Sequence, residues 1–161
     1  RVASRGLGDV YKRQVVQHAN VATITTKMID DCINILISYG PKKCSSVIPS
    51  HKCAEYHPLR AQRLNKEGIL LPFVNNQKQA SANRQDLPPV MFFDHSFWVL
   101  WSSSIKNMNK NKNYGSWPCM GDKIIPYLTK GCFDIHDLKD VNKTEEWLIE
   151  NKIKSINLIK L

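Results

Sequence analysis

The segment around Asp134 carries the side chains with the clearest potential chemistry. Asp134 and His136 flank Ile135 just before an expected helix. Because side chains alternate along a strand, the two would lie on the same side of the chain. A carboxylate at a strand end is a suitable ligand for Mg²⁺, a hard cation that neutralises phosphate charge in nucleotidyl transfer. The alternative reading is that Asp134 or Asp137 only caps the following helix.

Basic side chains in two other segments are candidates for holding an anion. Arg84 lies in a polar loop, where a guanidinium can grip a carboxylate or a phosphate through two hydrogen bonds. A surface turn in which Arg84 pairs with Asp86 explains the same residues. His57 and Arg60 could also face an anionic ligand, and a salt bridge at the edge of a hairpin accounts for them equally well.

These residues would be positioned by an α/β sandwich with a mostly parallel sheet and an antiparallel hairpin insertion. Apolar residues from Ile29 to Ile37 recur at helical spacing between a Thr cap and Gly40. A second helix is expected over 140–151, and a hairpin over 60–64 and 69–73. Strands are expected over 15–17, 45–49, 91–101, 124–128 and 133–135, with 15–17 as the end of a buried strand. A polar loop is expected over 75–85. Such sheets bind ligands beyond the carboxyl ends of their strands, so functional residues should cluster after Gln17, around Arg84 and Asp94, and around Asp134.

Length, charge and hydropathy argue against a membrane-spanning or an exported protein. The chain has 161 residues, enough for one domain, and a formal charge of +9. We expect no membrane association, because no apolar run approaches the ~20 residues of a spanning helix. Nothing resembles an export signal, so we expect a cytoplasmic protein with reduced thiols. The chain contains neither a Walker A motif nor GxGxxG.

Residues 1–14 resemble a translated sequencing adapter, and we expect them to be a non-native tail. They carry four basic residues against Asp9. The remaining chain then has a charge of about +6, spread along its length. A small basic module that binds RNA or DNA is the alternative of a different class. With the charge dispersed and no aromatic-basic RNA signature, we expect no nucleic-acid partner.

Seven segments occur in an order that is typical of one family. They are Gln17, Val47-Ile48-Pro49, His57-Pro58, Gly68 to Phe73, Arg84 to Pro88, Phe92 to Leu100, and Asp134-Ile135-His136. This order resembles the acylneuraminate cytidylyltransferases, the CMP-sialic acid synthetases, from about Val15 to Asn151. The resemblance implies a Rossmann-like nucleotide-diphospho-sugar transferase fold, truncated at its N-terminus. Residues 15–161 would be the C-terminal part of a single cytidylyltransferase-like domain.

The resemblance also implies an enzymatic activity. CTP and an acidic, sialic-acid-like keto sugar would give the CMP-sugar and pyrophosphate, with Mg²⁺ as cofactor. Asp134 matches a catalytic, metal-binding aspartate, and His136 stands where the family has a second metal aspartate. Gln17 matches a residue beside the nucleotide and sugar, Arg84 matches a sugar-contacting arginine, and Asp94 falls in the substrate-binding region. A homodimer formed through the hairpin region is also implied.

The chain departs from the family pattern at several positions. Phe92 falls near a family arginine that contacts the sugar, and Asp94-His95 falls near an Asn-Gly pair. A transferase of the same fold with a different sugar or nucleotide is therefore the second hypothesis. The family's phosphate-cradling N-terminal loop would lie upstream of Val15. We therefore expect this fragment to be inactive by itself.

Overall fold

The protein is described by a computed structural model over residues 12–74, 81–110 and 115–153. The chain divides into two units. The larger comprises the described residues up to Ser50 and from Phe93 onward, and the smaller comprises His51–Phe92. Residues 75–80, which are part of the polar loop predicted over 75–85, and the tail after 153 lie outside the described residues. Within these ranges, no helix has the length and apolar character needed to cross a membrane.

Among the described residues, the structure has seven strands and three α-helices. The strands are β1 (Arg13–Gln17), β2 (Ser46–Lys52), β3 (Gln62–Leu64), β4 (Leu70–Pro72), β5 (Met91–Phe93), β6 (Phe97–Trp101) and β7 (Ile124–Leu128). The helices are α1 (Thr26–Tyr39), α2 (Ser102–Lys106) and α3 (Leu138–Glu150). The α/β class is confirmed.

The main sheet is mixed, with the order β1-β6-β2-β5 and β7 also paired to β2. Strand β6 runs antiparallel to both β1 and β2, whereas β7 runs parallel to β2. Consequently β1, β2 and β7 share one direction and β6 opposes them. The carboxyl ends of β1 and β7 therefore lie at the same edge of the sheet as the start of β6.

The sheet is covered by apolar side chains on both faces. Val99 of β6 packs with Leu36 of α1 on one face. Its neighbour Leu100 packs with Met120 on the other face. All four side chains are fully buried. Since successive strand residues point to opposite faces, β6 contributes to both halves of the core.

Helix α1 forms where the sequence predicts it. The hydroxyl of Thr25 accepts a hydrogen bond from the first turn, and the helix ends at Gly40, whose φ is +68°. Cys32 and Leu36 are its fully buried residues. The prediction was wrong for Ile37, which is exposed because it lies outside the stripe facing the sheet.

The predicted strand over 91–101 is divided into β5 and β6. The chain turns at Asp94–Ser96, where the Asp94 amide donates to the carbonyl of Pro49 at 2.8 Å. The carbonyl of Ser96 accepts a hydrogen bond from the His18 amide at 2.9 Å. These two bonds connect the turn to segments that are remote in sequence. The β-propensity of residues 91–101 carries no information on such contacts, so it did not predict the turn.

Strand β1 is longer and more exposed than predicted. It begins at Arg13, so Arg13 and Gln14 of the expected non-native tail belong to the sheet. Val15 was expected in a buried strand and is largely exposed. Arg13 and Gln14 can pair in the sheet whatever their origin, because strand pairing uses backbone N–H and C=O groups that every non-proline residue has. Among the described strands β1 pairs with β6 alone, and this edge position explains its exposure.

The smaller unit contains the predicted hairpin. Strands β3 and β4 are antiparallel, with Leu64 opposite Leu70. The side chain of Asn65 accepts hydrogen bonds from the Glu67 and Ile69 amides. Gly68 has a φ of +79°, which completes the turn. The polar loop with a central glycine thus forms the connection that the sequence indicates.

A polar contact ties β7 to α1. The Tyr127 hydroxyl donates to Asp31 at 3.0 Å, and Asp31 also pairs with Lys27 at 2.8 Å. Burial raises the pKa of Tyr127 to about 12, and the hydrogen bond to the negative Asp31 adds to this shift. The contact therefore favours the protonated phenol.

Titration of the Tyr127 phenol tests this contact. We expect a pKa near 12 in the folded protein, and Asp31→Asn should lower it while leaving it above 10.0, because burial remains. Since the unfolded phenol ionises first, this residue should make stability fall as pH rises from about 10 to 12. NMR of tyrosine labelled at Cζ measures the pKa. An unchanged value in Asp31→Asn would contradict the proposed contribution of the carboxylate.

Candidate functional site

Three segments of the larger unit meet at the carboxyl edge of the sheet. They are the loop His18–Asn20 after β1, the turn Asp94–Ser96 before β6, and the segment Thr129–His136 after β7. The first and third are joined by a hydrogen bond from the Ile135 amide to the carbonyl of Asn20, at 2.9 Å. We call these three segments the edge cluster. Their position is the one at which open α/β sheets bind ligands.

Asp134 is at the centre of the edge cluster. Its Oδ1 accepts a hydrogen bond from the side-chain amide of Asn20, and its Oδ2 lies 2.9 Å from Nε2 of His136. The two side chains are 41% and 72% exposed for Asp134 and His136. The pair therefore lies on one side of the chain and is open to solvent. A single bridge between Val21 and Asp134 replaces the strand predicted over 133–135.

The capping role belongs to Asp137. Its carboxylate accepts hydrogen bonds from the Lys139 amide at 2.8 Å and the Asp140 amide at 3.1 Å, at the start of α3. These bonds satisfy amides that have no partner within the helix. Of the two aspartates that the sequence offers as caps, Asp134 is thus the one left for another role.

Asp140 fixes the backbone of His136. Its carboxylate accepts a hydrogen bond from the His136 amide at 3.1 Å. This bond holds the pKa of Asp140 below its usual value, and a contact with Lys143 adds to the effect. The backbone from which the His136 side chain projects is therefore fixed by this hydrogen bond.

Asp94 is buried inside the edge cluster and links two of its segments. Its side chain is only 2% exposed and accepts a hydrogen bond from the Thr129 hydroxyl. Burial raises the pKa of the Cys132 thiol to about 11, and the charges of Asp94 and Asp134 add to the shift. In this structure the carboxylate predicted to bind substrate supports the loops that surround Asp134. A direct substrate contact at Asp94 stays a prediction.

Gln17 is the last residue of β1 and is exposed. Its backbone is opposite Phe97 of β6. The loop that follows reaches Asp134 through Asn20. The structure therefore brings Gln17 to the same edge of the sheet as Asp94 and Asp134.

Arg84 lies in the smaller unit, in a short 3₁₀ turn over Arg84–Asp86 that Asn83 caps. Asp86 accepts hydrogen bonds from the side chains of Ser81 and Asn83, and Arg84 is exposed. A cleft of 160 Å³ beside Arg84 is also lined by Lys52. Two cationic side chains thus flank this small cleft.

The imidazole of His57 has a structural role. Its Nδ1 accepts a hydrogen bond from the Leu59 amide at 3.2 Å, and its Nε2 lies 3.0 Å from the carbonyl of Pro88. Both ring nitrogens are therefore engaged by backbone within the smaller unit. The alternative of an anion-binding His57 gains no support from this arrangement.

A cleft of 560 Å³ adjoins the edge cluster. Phe133, Thr129 and Gly131 line it from the segment that contains Asp134, and Trp147 lines it from α3. Lys130 adds a cationic group. Small-molecule sites commonly occupy about 300–1,000 Å³, so this space suffices for a sugar or a nucleotide.

The donor set at Asp134 fits Mg²⁺ only in part. The carboxylate suits this cation, whereas the imidazole of His136 offers nitrogen in place of the preferred oxygen. Across residues 12–74, 81–110 and 115–153, no three His, Cys, Asp or Glu side chains are grouped so that they could hold a metal ion.

Sequence reasoning missed Asn20 and Thr129. Both form hydrogen bonds with predicted site residues that are distant in sequence, and Asn20 and Asp134 are 114 positions apart. The weak signal for Asn20 was its position three residues after Gln17, in the segment that follows an expected strand. Thr129 directly follows an expected strand, where ligand-binding loops begin.

Comparison with known proteins adds no relative. A scan against protein-family models finds no match to this chain. A search of curated proteins likewise finds no significant match. The functional proposal therefore depends on the motifs and on the geometry at the edge of the sheet.

Proposed function

We propose that this chain is part of a cytidylyltransferase that makes a CMP-activated acidic sugar from CTP and releases pyrophosphate. The observation that carries this proposal is the exposure of the Asp134 carboxylate and its contacts. Its carboxylate is solvent-accessible, is not the helix cap, and is held by the loop that follows Gln17. Two side chains that the resemblance assigns to one site therefore share one edge of the sheet.

The topology supports the finer fold proposal of a Rossmann-like nucleotide-diphospho-sugar transferase. Strands β1, β2 and β7 run in one direction, and α1 connects β1 to β2. A helical crossover between strands of the same direction is the unit from which such nucleotide-binding sheets are built. The edge cluster then occupies the place at which these sheets bind nucleotides.

Each candidate residue has a role that its chemistry allows. Asp134 would hold the divalent cation, which supplies charge neutralisation on the phosphates when it is bound. The exposed amide of Gln17 can donate to and accept from a nucleotide or sugar hydroxyl. The guanidinium of Arg84 suits the carboxylate of an acidic sugar. Positioning and electrostatics of this kind account for most catalysis of phosphoryl and nucleotidyl transfer.

Pyrophosphate release tests the activity. The chain should be expressed with its upstream reading frame restored and supplied with CTP and a panel of acidic keto sugars. We expect release with CTP and at least one of these sugars, and none from residues 15–161 alone. Steep salt-dependent binding of single-stranded RNA by residues 15–161, without transferase activity in the longer protein, would favour the nucleic-acid module instead.

One contact favours a sugar or nucleotide different from those of the resembled family. Phe92 stands near a position where the family has a sugar-contacting arginine, and its ring stacks on His51 with 6.2 Å between centroids. An aromatic ring cannot pair with a carboxylate as a guanidinium does. Release of pyrophosphate with another nucleotide, but not with CTP, would select this second function.

A homodimer is the proposed assembly, and the hairpin supports it. Leu64 is 68% exposed and Phe73 is 65% exposed, and Ile69 and Leu70 between them are also largely exposed. Contiguous apolar surface of this kind is typical of interfaces between subunits. Two copies that join their hairpins would remove these side chains from water.

Sedimentation of the purified chain tests the assembly. We expect a dimer, and Leu70→Lys should shift it to a monomer because an ammonium group would be buried in the interface. Ile149→Lys is the matched control, since Ile149 is an exposed apolar residue on α3 in the larger unit. A wild-type monomer at micromolar concentration would contradict the proposal. So would equal dissociation of both variants.

A further inference from the structure

We infer that the cleft lined by Phe93 and Trp117 binds a free organic ammonium ion, and that a trimethylammonium group is the ligand that fits it best. The cleft lies within the larger unit and has a volume of 530 Å³. This volume is within the range of about 300–1,000 Å³ that small-molecule sites occupy. Neither the ligand nor the cleft depends on the transferase activity proposed above.

Two aromatic rings line the cleft at an angle to each other. The ring centroids of Phe93 and Trp117 are 6.0 Å apart, and the ring planes are inclined at 64°. The face of an aromatic ring carries partial negative charge, which attracts a cation that lies within about 6 Å of the centroid. Recognition of quaternary ammonium groups by several such rings is a recurrent use of this attraction. The two rings therefore supply the kind of surface that an organic cation requires.

The indole of Trp117 is held in place by two further rings. Its centroid is 4.9 Å from that of His95 and 6.5 Å from that of Trp98. Trp98 belongs to β6 and is only 8% exposed, whereas Trp117 is 37% exposed. The indole is thus packed against the core on one side and accessible on another. A ring that is oriented before the ligand arrives loses little freedom when the ligand binds.

Asp122 supplies a negative charge beside the two rings. It lines the cleft and is exposed. Within the part of the chain that the structure describes, its carboxylate has no hydrogen-bond or ion-pair partner. None of the described residues that line the cleft is basic. The carboxylate is therefore available to a cationic ligand.

The backbone on both sides of Asp122 is fixed. The Lys123 amide donates to the Ser45 hydroxyl, and the Ser45 amide donates to the Lys123 carbonyl, both at 2.9 Å. Nζ of Lys123 donates to the carbonyl of Lys42 at 2.9 Å, which engages this neighbouring cation. Met120, which also lines the cleft, is fully buried. The carboxylate thus projects from a segment that is already ordered.

The remaining lining selects among cations. Met120 and Ile124 add apolar surface to that of the two rings. A primary ammonium has three N–H donors, and those facing apolar side chains would have no acceptor, which is costly. A trimethylammonium group has no N–H donor and keeps its positive charge. The cleft therefore favours methylated ammonium over a primary amine.

The single carboxylate also determines what the ligand cannot carry. An anionic group close to Asp122 would be repelled by it. This argues against an acidic sugar in the cleft. It also argues against a phosphocholine lipid headgroup, in which a phosphate lies close to the ammonium. A free solute such as choline has the positive charge without the neighbouring anion.

Calorimetric titration of the complete chain with choline tests the inference. We expect one saturable site with a dissociation constant in the millimolar range. Dimethylbutanol, the neutral isostere in which carbon replaces the nitrogen, should bind about 2- to 30-fold more weakly, because it loses the cation–π attraction. Sedimentation with phosphatidylcholine vesicles should leave the chain in solution.

Two substitutions separate the contributions of the ring and the charge. Trp117→Leu should weaken choline binding by about 2- to 30-fold, and Trp117→Phe should restore most of the affinity because it retains an aromatic face. Asp122→Asn should weaken binding by about two- to fivefold and make it less sensitive to salt. Asp30→Asn is the matched control, since it makes the same change of charge at an exposed position on α1. It should leave choline binding unchanged.

Thermal unfolding of each variant shows whether the fold is retained. The comparison of choline with dimethylbutanol uses the wild-type chain, so it remains decisive if Trp117→Leu does not fold. Any of three results would overturn the inference: no saturable choline binding at tens of millimolar, equal binding of choline and dimethylbutanol, or equal effects of Asp122→Asn and Asp30→Asn. Co-sedimentation with the vesicles would overturn the assignment to a free solute.

Discussion

Replacing Asp134 with Ala in the protein with its upstream frame restored should lower pyrophosphate release from CTP by at least about 100-fold. The loss is expected because this carboxylate is the one acidic group of the edge cluster that is exposed and not used as a cap. The free energy of unfolding should fall by no more than about 1.5 kcal/mol, the usual contribution of a hydrogen bond. Turnover by a pyrophosphate assay and unfolding in urea provide the two measurements.

Asp137→Ala is the matched control, since it removes an aspartate three residues away. Because Asp137 caps α3 through two amides, its loss should cost about 1 kcal/mol of stability and leave most of the activity. The two variants should thus lose similar amounts of stability and differ greatly in activity. If Asp134→Ala lost activity only in proportion to stability, Asp134 would be a structural residue and the proposed active site would fail.

The largest loss of stability is expected from Gly121→Ala. Gly121 has φ +76° and ψ −163°, a conformation that is essentially restricted to glycine. A Cβ at this position would lie 2.5 Å from Cβ of Ser45 and 2.7 Å from its Oγ. Ser45 cannot move aside easily, because its hydroxyl accepts from the Lys123 amide and its carbonyl accepts from the Ser104 hydroxyl. Backbone strain and overpacking together should cost roughly 2 to 6 kcal/mol.

Gly40→Ala separates these two contributions. Gly40 has a similar backbone, with φ +68° and ψ 164°, and a Cβ there would have no atom within 4 Å. Its cost should be limited to strain, about 1 to 3 kcal/mol. Ser45→Gly should partly rescue Gly121→Ala by removing the atom it strikes. Equal unfolding free energies for the two alanine variants would show that the contact with Ser45 is not the cause.

Helix capping, helix termination and turn formation could be predicted from the sequence, because each depends on residues that are adjacent in the chain. The cap at Thr25, the end of α1 at Gly40 and the hairpin turn around Gly68 each require only a few adjacent residues with the right side-chain and backbone chemistry. These three features follow from propensity and spacing within one element. Asp134 and His136 are in contact, as the alternation rule predicted, although the strand predicted over 133–135 is reduced to a single bridge at Asp134.

Features that depend on remote contacts could not be predicted in the same way. The division of the expected strand over 91–101 arises from bonds to Pro49 and His18. The buried Asp94 accepts a hydrogen bond from Thr129, which is remote in sequence. The opposite direction of β6 depends on which strands become its neighbours, and periodicity within one strand carries no information on pairing.

The pairing of β1 with β6 also affects how the chain folds during synthesis. Their registered partners, such as Gln17 and Phe97, are about 80 residues apart. At roughly 5–20 residues per second, a ribosome needs several seconds to produce β6 after β1 has been made. During that delay the nascent β1 lacks the partner it has in the described sheet. Folding should consequently be slower than in chains whose strand pairs are close in sequence.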